Sequence, residues 1–409
     1  MKNGITRVGF ACAGVALLWG AGFGEALDMT AIFERVDSRN PELKAARGEV
    51  EAAASEIDQA GLLPNPELEI GTENLGMAEA EVVVSQPLEL GGKRKSRMAA
   101  AKLGREEAEL RLAAVRLGLH AEALRRCGVL VEVKAGIAVI DTMLALALRD
   151  KQRVDRRVEA GAAMELDGIR SQVAVDEIRM QREALLERRR TAGRYLAALW
   201  HDSSLSSEPA ITLWGRLPPI AGDSVAARLS EHPDMKRAAL TVRIHEAELV
   251  HARAERVPET AVHGGFLRNN ESGENAALLG LSVGLPLFNR NQGAVAARAR
   301  RVEAAKEEYE AARRAMRSET RSLVSRLNTL RRQVATLEDT IIPRLSEVHA
   351  SLEEYYARGL VSILEVLESR RALVDKELEA VEMRAQWWQG AAELFEKSGV
   401  RYSIHSQEY

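Results

Sequence analysis

Two stretches of the chain, 93–160 and 291–358, carry apolar residues at seven-residue spacing. The first holds the series Leu110, Leu117, Leu124 and Val131, and the second holds Met316, Leu323, Leu330 and Leu337 beside Leu327, Val334, Ile341, Val348 and Tyr355. This spacing is typical of helices that pack side by side. At about 1.5 Å per residue each stretch would reach roughly 100 Å. Helices of this length predict an elongated bundle rather than a globular domain.

Shorter helical patterns accompany the long ones. They cover 30–60 and 163–200 in the first half of the chain and 223–256 and 361–398 in the second. Because two short helices together match the length of one long helix, we expect them to stack end to end beside it. Pro343 should kink the second long helix, since it leaves the carbonyl of Asp339 without a donor.

Alternating apolar and polar positions predict four strands, at 66–74, 79–88, 259–268 and 276–286. In the first strand Leu68 and Ile70 fall on one face, with Glu67 and Glu69 on the other. This alternation is typical of a barrel strand between lipid and a polar lumen, although a strand of a soluble sandwich alternates in the same way. Four strands cannot close a barrel alone, so a closed sheet would need several copies of the chain.

The predicted elements occur in the same order twice. Blocks of the first half recur in the second at offsets of about 192, 199 and 198 residues: 39–57 with 231–249, 85–109 with 284–308, and 158–175 with 356–373. Consistent spacing of this kind indicates a tandem duplication. The two predicted repeats are 27–220 and 221–409.

The first 26 residues are typical of a secretory signal peptide. Lys2 and Arg7 precede a short apolar run, 8–19, and small residues lead up to a cleavage site near Ala26. The run is too short to span a bilayer. The residues before Cys12 make a poor lipoprotein signal. We therefore expect the mature protein in the periplasm or the outer membrane.

Composition and charge exclude several classes of protein. The aromatic content is only 4% and the net charge is -3, so no overall field favours nucleic acid. The eight histidines lack the spacing of metal ligands, and after signal cleavage Cys127 would be the sole cysteine. The sequence shows no nucleophile with a matching base and no phosphate-binding loop. We expect neither an enzyme, nor a cofactor, nor a strong metal site.

Two motifs give the chain a family resemblance. AGLLPNPELEI at 60–70 and SQPLELGGKR at 85–94 resemble the heavy-metal (CzcC/CusC-like) branch of the TolC-type outer-membrane efflux proteins. The resemblance implies a mainly α fold with a small β part. It also implies a homotrimer with a 12-stranded outer-membrane β-barrel, continued by a periplasmic α-helical barrel. The chain would then be a passive exit duct for divalent heavy-metal cations, with a periplasmic adaptor and an inner-membrane RND pump as partners.

The resemblance also implies a periplasmic gate at the tips of the helical hairpins. In the segment YARGLVSILEVLES, Tyr356, Glu365 and Glu368 match the family's gate positions, although the family has aspartate at both acidic ones. Asp167 is the corresponding residue of the first half. Threefold symmetry would place the carboxylates in rings, which attract cations. Without the family resemblance, a solvated helix face would explain the same residues.

Gly161 and Gly359 are predicted to form the tips themselves. Each lies between two helical patterns, where a tight reversal needs a left-handed residue. In the resemblance these tips are also where the adaptor would make contact, and Tyr356 could hold the second tip shut by hydrogen bonding.

A second group of residues lies where the strands lead into the long helices. Pro87 and Pro286 are predicted to end the strands, and Gly91 and Gly92 to redirect the backbone. A basic cluster follows, consisting of Lys93, Arg94, Lys95 and Arg97. The helix dipole disfavours cations at a helix start, so we expect this cluster to contact anionic lipid head groups of the outer membrane.

Two alternatives remain at this point. The same fold could serve organic toxicants or secreted proteins, because nothing in the sequence identifies a metal ligand. A periplasmic adaptor also contains a long helical hairpin, but it would carry one hairpin between β-rich segments, whereas this chain repeats its hairpin.

Overall fold

The computed structural model describes residues 28–73, 79–205, 217–269 and 272–399. The predicted signal peptide, 1–26, lies outside this part of the chain. The elements are α1 Met29–Arg39, α2 Pro41–Ala60, β1 Glu67–Glu73, β2 Glu79–Leu88, α3 Lys93–Glu159, α4 Glu165–Ala198, α5 Gly222–Ala226, α6 Pro233–Ala254, β3 Thr260–Asn269, β4 Asn275–Val283, α7 Gln292–Thr336, α8 Ile342–Ala357 and α9 Ile363–Ser398.

The helix predicted over 30–60 is two helices, because Pro41 forces a break. Asn40 adopts an extended conformation with ψ 128°, as expected for a residue before proline. Its side chain caps α2 by accepting from the backbone N–H of Glu42 at 2.8 Å, and it donates to the carbonyl of Leu199 at 2.9 Å. The break therefore also fixes α2 to the end of α4.

The single helix predicted over 223–256 is wrong for the same physical reason. The five-residue α5 is followed by a 3₁₀ turn, Leu229–Glu231, and α6 begins only at Pro233. The preceding His232 is extended, with ψ 137°, and its imidazole accepts from the backbone N–H of Asp234 at 3.2 Å. The nearly buried His232 therefore acts as the N-cap of α6.

The second long helix is interrupted where Pro343 predicts an irregularity. A five-residue π turn, Leu337–Ile341, separates α7 from α8. Widening the helix by one residue accommodates a proline that cannot donate to the preceding turn. Glu338 within this turn pairs with Arg384 of α9, whose side chain is only 8% exposed. The irregular turn is therefore held against α9.

The four strands form an antiparallel sheet in the order β1-β2-β3-β4. Pro87 does not end the ladder as predicted: it pairs with Ala261, and β2 continues to Leu88. The partner strand β1 pairs only as far as Ser85, so the ladder is incomplete on one side of Pro87. The last strand ends at Val283, three residues before Pro286, which lies in the connection to α7.

The two faces of the sheet differ in chemistry. The cross-strand pairs place one apolar set on a single face, with side chains 38% to 86% exposed: Leu68, Ile70, Val82, Val84, Val262, Phe266, Leu279, Leu281 and Val283. The opposite face carries Glu67, Glu69, Glu79, Glu81, Ser85, His263 and Ser282. An exposed apolar patch of this extent is uncommon on a soluble monomer.

The helices form two layers below the sheet. In the upper layer, next to the sheet, neighbours follow the order α2, α3, α6, α7; in the lower layer, toward the helix tips, the order is α4, α3, α9, α8. Apolar clusters between these helices include the buried Trp200 and Leu130 in the first half and Trp387 and Leu327 in the second. In the sheet and in both helix layers, an element of the first half lies at one edge and an element of the second half at the other.

Candidate functional site

The two predicted tips have the same backbone geometry. Gly161 and Gly359 have φ +68° and +75°, in the left-handed region that favours glycine. The N–H of Ala162 donates to the carbonyl of Arg157 at 2.7 Å, and the N–H of Leu360 donates to that of Tyr355 at 3.0 Å. These bonds are those of a Schellman motif. Each tip therefore ends one helix and begins the next within a few residues.

The acidic residues after the tips cap the returning helices. Glu365 accepts from the backbone N–H of Ser362 at 2.8 Å, in a capping box with the serine side chain. Asp167 occupies the matching position of α4 and accepts from the backbone N–H of Met164 at 3.4 Å. Glu368 is exposed and forms no hydrogen bond or ion pair with the described residues. Two of the three predicted gate carboxylates thus have a local structural role.

Tyr356 connects the two tips within one chain. The guanidinium carbon of Arg157, on α3, lies 4.6 Å from the centre of the Tyr356 ring, and Arg157 also donates to the Tyr356 carbonyl at 2.9 Å. The ring packs against an apolar cluster that includes Val154 and Ile363. Burial raises the pKa of Tyr356. This residue therefore holds the second tip against α3 through a cation–π contact as well as a hydrogen bond.

Above the tips, four polar residues from three helices form a cluster that sequence reasoning missed, and three of the four are buried. Asp150 of α3 forms an ion pair with Arg370 of α9, and their side chains are only 7% and 4% exposed. His349 of α8 is also buried and shares a 2.9 Å hydrogen bond with Ser369 of α9. We call Asp150, His349, Ser369 and Arg370 the ionic junction.

Burial shifts the pKa values of the ionisable groups in the ionic junction. It raises the pKa of Asp150, an effect opposed by the charge of Arg370, and it lowers the pKa of Arg370. It also lowers the pKa of His349, against the attraction of Glu353, whose carboxylate lies 3.6 Å from Nε2. The imidazole is therefore favoured in its neutral form.

A signal for this cluster was present in the sequence. Asp150 lies in register with Met143, Ala147 and Val154, which are all buried on α3. Arg370 lies between the buried Val366 and Leu373 on α9 in the same way. A charged residue at a position that the apolar periodicity reserves for the interior predicts a buried ion pair.

The junction between strand and helix is shaped by its glycines. Gly91 and Gly92 have φ +70° and +79°. A Cβ atom on Gly91 would lie 2.3 Å from Cγ2 of Val257, whereas one on Gly92 would meet no atom within 4 Å. Gly91 is therefore required both by its backbone angle and by the close approach of the connection before β3.

The basic cluster divides into paired and free side chains. Arg97 donates to the carbonyls of Ala60 and Leu62 at 3.0 and 2.9 Å and pairs with Glu89. Lys93 lies 3.8 Å from Glu255 of the turn after α6, with its side chain 12% exposed. These two cations stabilise the fold locally. Arg94 and Lys95 are exposed, so the prediction of lipid contact now concerns these two.

Histidines and acidic residues do not assemble into a metal centre in the described part of the chain. No group of three or more His, Cys, Asp or Glu is placed there to hold an ion. His245 pairs with Glu248, and His251 with Ser96. Within the same ranges, none of the helices has the length and apolar character needed to cross a membrane.

The second half of the chain matches a family of known proteins. Residues 226–400 match the outer membrane efflux protein family, and the chain is a relative of these proteins.

Individual relatives extend the match over most of the chain. It is 25% identical to the cobalt-zinc-cadmium resistance protein CzcC of Cupriavidus metallidurans over 371 residues, covering 90% of this chain and 89% of that protein. It is 26% identical to the nickel-cobalt-cadmium resistance protein NccC of Alcaligenes xylosoxydans xylosoxydans, covering 77% and 75%. Among solved structures, CusC superposes with a TM-score of 0.77 at 16% identity, covering 93% and 95%. The fold is that of CusC, whose structures describe the formation of a transmembrane channel.

Proposed function

We propose that the chain is the outer-membrane channel subunit of a tripartite efflux system that expels divalent heavy-metal cations. It would be a passive duct, with a periplasmic adaptor and an inner-membrane RND pump as partners. The similarity to cobalt-zinc-cadmium and nickel-cobalt-cadmium resistance proteins supports the class of substrate.

The observation that carries the proposal is the chemistry of the sheet. One face is apolar and exposed, as a lipid-facing surface must be. The other face carries Glu67, Glu69, Glu79 and Glu81, and would line a lumen in which negative charge favours cations.

The open edges support a ring of identical copies. A four-stranded sheet cannot close on itself, and unpaired edges are not tolerated within a bilayer. Joining the β4 edge of one chain to the β1 edge of the next would give heterologous contacts that close as a ring. Three copies would supply twelve strands, and the same rotation would bring α7 beside α2 and α8 beside α4. A tandem duplication of 27–220 and 221–409, as the sequence predicts, would give each chain two similar units for this ring.

At the tips, the proposed gate consists of Asp167, Glu365 and Glu368 with Tyr356. The capping bonds of Glu365 and Asp167 support a fixed position for these carboxylates at the opening. Gly161 and Gly359 would present the tips to the adaptor.

Channel measurements test the gate. Glu365→Gln and Glu368→Gln remove charge together, and glutamine can keep the capping bond of Glu365. In planar bilayers we expect the double variant to lose cation preference and divalent block. A matched control is Glu308→Gln, which changes an exposed residue of α7 far from the tips. Unchanged cation preference together with unchanged divalent block in the double variant would refute the gate.

Growth measurements test the substrate class. Deletion of the gene should increase sensitivity to divalent cobalt, zinc, cadmium or copper, and the intact gene should restore resistance. Sensitivity confined to organic toxicants would assign the duct to the alternative substrate class instead.

The lipid contact proposed for the basic cluster is tested separately. Replacing Arg94 and Lys95 with Gln should lower the yield of membrane-inserted oligomer. A normal yield of heat-stable oligomer would contradict the lipid contact.

A further inference from the structure

The buried histidine of the ionic junction uses one ring nitrogen in a hydrogen bond and leaves the other without one. Ser369 donates its single hydroxyl hydrogen to the carbonyl of Val366 at 2.9 Å, so its oxygen accepts the 2.9 Å hydrogen bond from Nδ1–H of His349. The neutral imidazole then carries its lone pair on Nε2. That nitrogen is buried and has no hydrogen-bond partner among the described residues. Ser369 therefore fixes the ring in the tautomer that leaves Nε2 as an electron-pair donor.

A second electron-pair donor lies beside Nε2 on the same helix. Oε1 of Glu353, one turn further along α8, is 3.6 Å from Nε2 of His349. Residues four apart share one face of a helix. With Nε2 unprotonated, no hydrogen lies between the two atoms, so two electron-pair donors face each other. A cation that both atoms bind would stabilise this arrangement.

The distance between the two atoms suits a transition-metal ion. Zinc binds imidazole nitrogen at about 2.0–2.1 Å and carboxylate oxygen at about 2.0–2.2 Å, in tetrahedral geometry. Two such ligands lie about 3.4 Å apart, close to the 3.6 Å between Nε2 and Oε1. A metal-binding histidine also donates its other ring N–H to a fixed acceptor, which here is Ser369. One imidazole with one carboxylate favours zinc, cobalt or nickel over magnesium and calcium, which prefer oxygen ligands alone.

The charges around the pair allow a cation to bind but limit its affinity. Asp150, on the facing α3, is already paired with Arg370, so those two charges offset each other. Arg153 lies 4.0 Å from Glu353 and is 55% exposed, so it can move into solvent when a cation takes its place. Glu353 itself is 28% exposed, which keeps the pair accessible to solvent on one side. We therefore expect a site that exchanges its ion.

We propose that His349 and Glu353 bind a divalent transition-metal cation, with water completing its coordination. The class of cation follows from the two ligands, and its link to transport rests on the proposed function. The ligands lie ten and six residues before Gly359, about 9–15 Å above the tip. A cation held here would therefore be close to the proposed gate.

A second histidine has similar surroundings without the burial. Ser96 donates to the carbonyl of Lys93 at 2.8 Å and shares a 2.8 Å hydrogen bond with Nδ1 of His251. Nε2 of His251 lies 3.8 Å from Glu255, four residues further along the chain. Here the histidine side chain is 44% exposed, and the ammonium of Lys93 lies 3.8 Å from Glu255. Water and lysine compete with a cation at this pair, which therefore provides a matched control.

Zinc titration tests the site on the full-length chain, purified in detergent without a histidine tag. In isothermal titration calorimetry with zinc chloride, the unmodified oligomer should bind one zinc ion per chain at this site, and excess magnesium should not prevent it. His349→Gln and Glu353→Gln should each abolish this binding event. Ser369→Ala, which removes only the acceptor for Nδ1–H, should weaken it by about 10–100-fold. His251→Gln should leave it unchanged.

Urea unfolding provides a second measurement for variants that bind zinc too weakly or fold too poorly for calorimetry. A ligand that binds only the folded chain stabilises it. Zinc should therefore raise the urea midpoint of the unmodified protein and of His251→Gln. It should not raise that of Glu353→Gln, which changes a partly exposed side chain and keeps its size.

Several results would overturn the site. These are the absence of zinc binding to the unmodified protein, binding that survives both His349→Gln and Glu353→Gln, and an equal loss of binding in His251→Gln. Magnesium binding of similar affinity at the same residues would overturn the class of cation. A protein that binds no zinc, although deletion of its gene sensitises cells to cobalt or zinc, would overturn the site and leave the proposed function. Zinc binding without such sensitivity would support the site and count against the proposed function.

Discussion

Removing Arg370 should destabilise the helical part of the protein more than any change to a surface ion pair. Arg370→Met leaves the carboxylate of Asp150, which is 7% exposed, without its main partner. Breaking a buried ion pair from one side costs about 3–5 kcal/mol. Arg153 lies 3.6 Å from Asp150 but is 55% exposed, so it replaces little of the lost interaction. We therefore expect a loss of about 3 kcal/mol per chain, at the lower end of that range.

The assay is urea unfolding of the detergent-solubilised protein, followed by far-ultraviolet circular dichroism, which reports chiefly on the helices. The urea concentration at the midpoint of unfolding should fall, while the slope of the unfolding free energy against urea concentration stays constant. Arg153→Gln is the control, because it removes an exposed partner of the same carboxylate and should cost no more than about 1 kcal/mol. Asp150→Leu combined with Arg370→Met replaces both charges by apolar side chains of similar length and should recover most of the loss.

Equal effects of Arg370→Met and Arg153→Gln would refute this reasoning. They would mean that Asp150 is as well solvated as an exposed carboxylate. A double replacement as damaging as Arg370→Met alone would instead mean that shape, not unpaired charge, determines the loss.

The remaining predictions concern the neighbouring histidine and the strand–helix junction. Because burial lowers the pKa of His349 in the folded chain, the unfolded chain binds more protons as the pH falls below about 6.5, and stability should decrease in that window. With His349→Gln, the stability measured by urea unfolding should depend less on pH between neutral and mildly acidic conditions. If stability falls with pH as steeply in this variant as in the unmodified protein, His349 is not the group responsible. Gly91→Ala should lower the stability of the protein more than Gly92→Ala. Both substitutions place alanine in a left-handed backbone conformation, which costs about 1–3 kcal/mol, but only the new Cβ at position 91 collides with Val257. Equal yields of heat-stable oligomer from the two variants would contradict the close approach.

Periodicity in the sequence predicts the long elements because their apolar positions repeat over many turns. The helix over 93–160 corresponds to α3, Lys93–Glu159, and the strand predicted at 79–88 corresponds to β2, Glu79–Leu88. Two of the errors occur where one proline outweighs a continuing pattern. Pro41 and Pro233 each force the residue before them into an extended conformation, and the apolar spacing continues across both breaks.

The candidate site is less accessible to sequence reasoning, because its contacts join residues far apart in the chain. The left-handed glycines at the tips follow from local chemistry, and both have the expected φ. The pairing of Arg157 with Tyr356 and of Asp150 with Arg370 depends on how α3 lies against α8 and α9, which periodicity does not specify. Arg97 is a further contact that the sequence does not reveal. It lies in a basic run and would be expected in solvent, yet its guanidinium, on α3, donates to the carbonyl of Ala60 at the end of α2 and to Glu89 in the loop after β2.

In the proposed gate, the same carboxylates would line the opening and start the helices behind it. Glu365 lies in the first turn of α9, and Asp167 in that of α4, where the helix dipole stabilises negative charge by about 0.3–1 kcal/mol each. This favourable field offsets part of the repulsion that three such groups would experience in a ring. Because each of these two side chains also holds a backbone N–H of its own cap, it cannot swing out of the ring without exposing that N–H. A gate built in this way would open by moving whole tips, with the charges travelling on them.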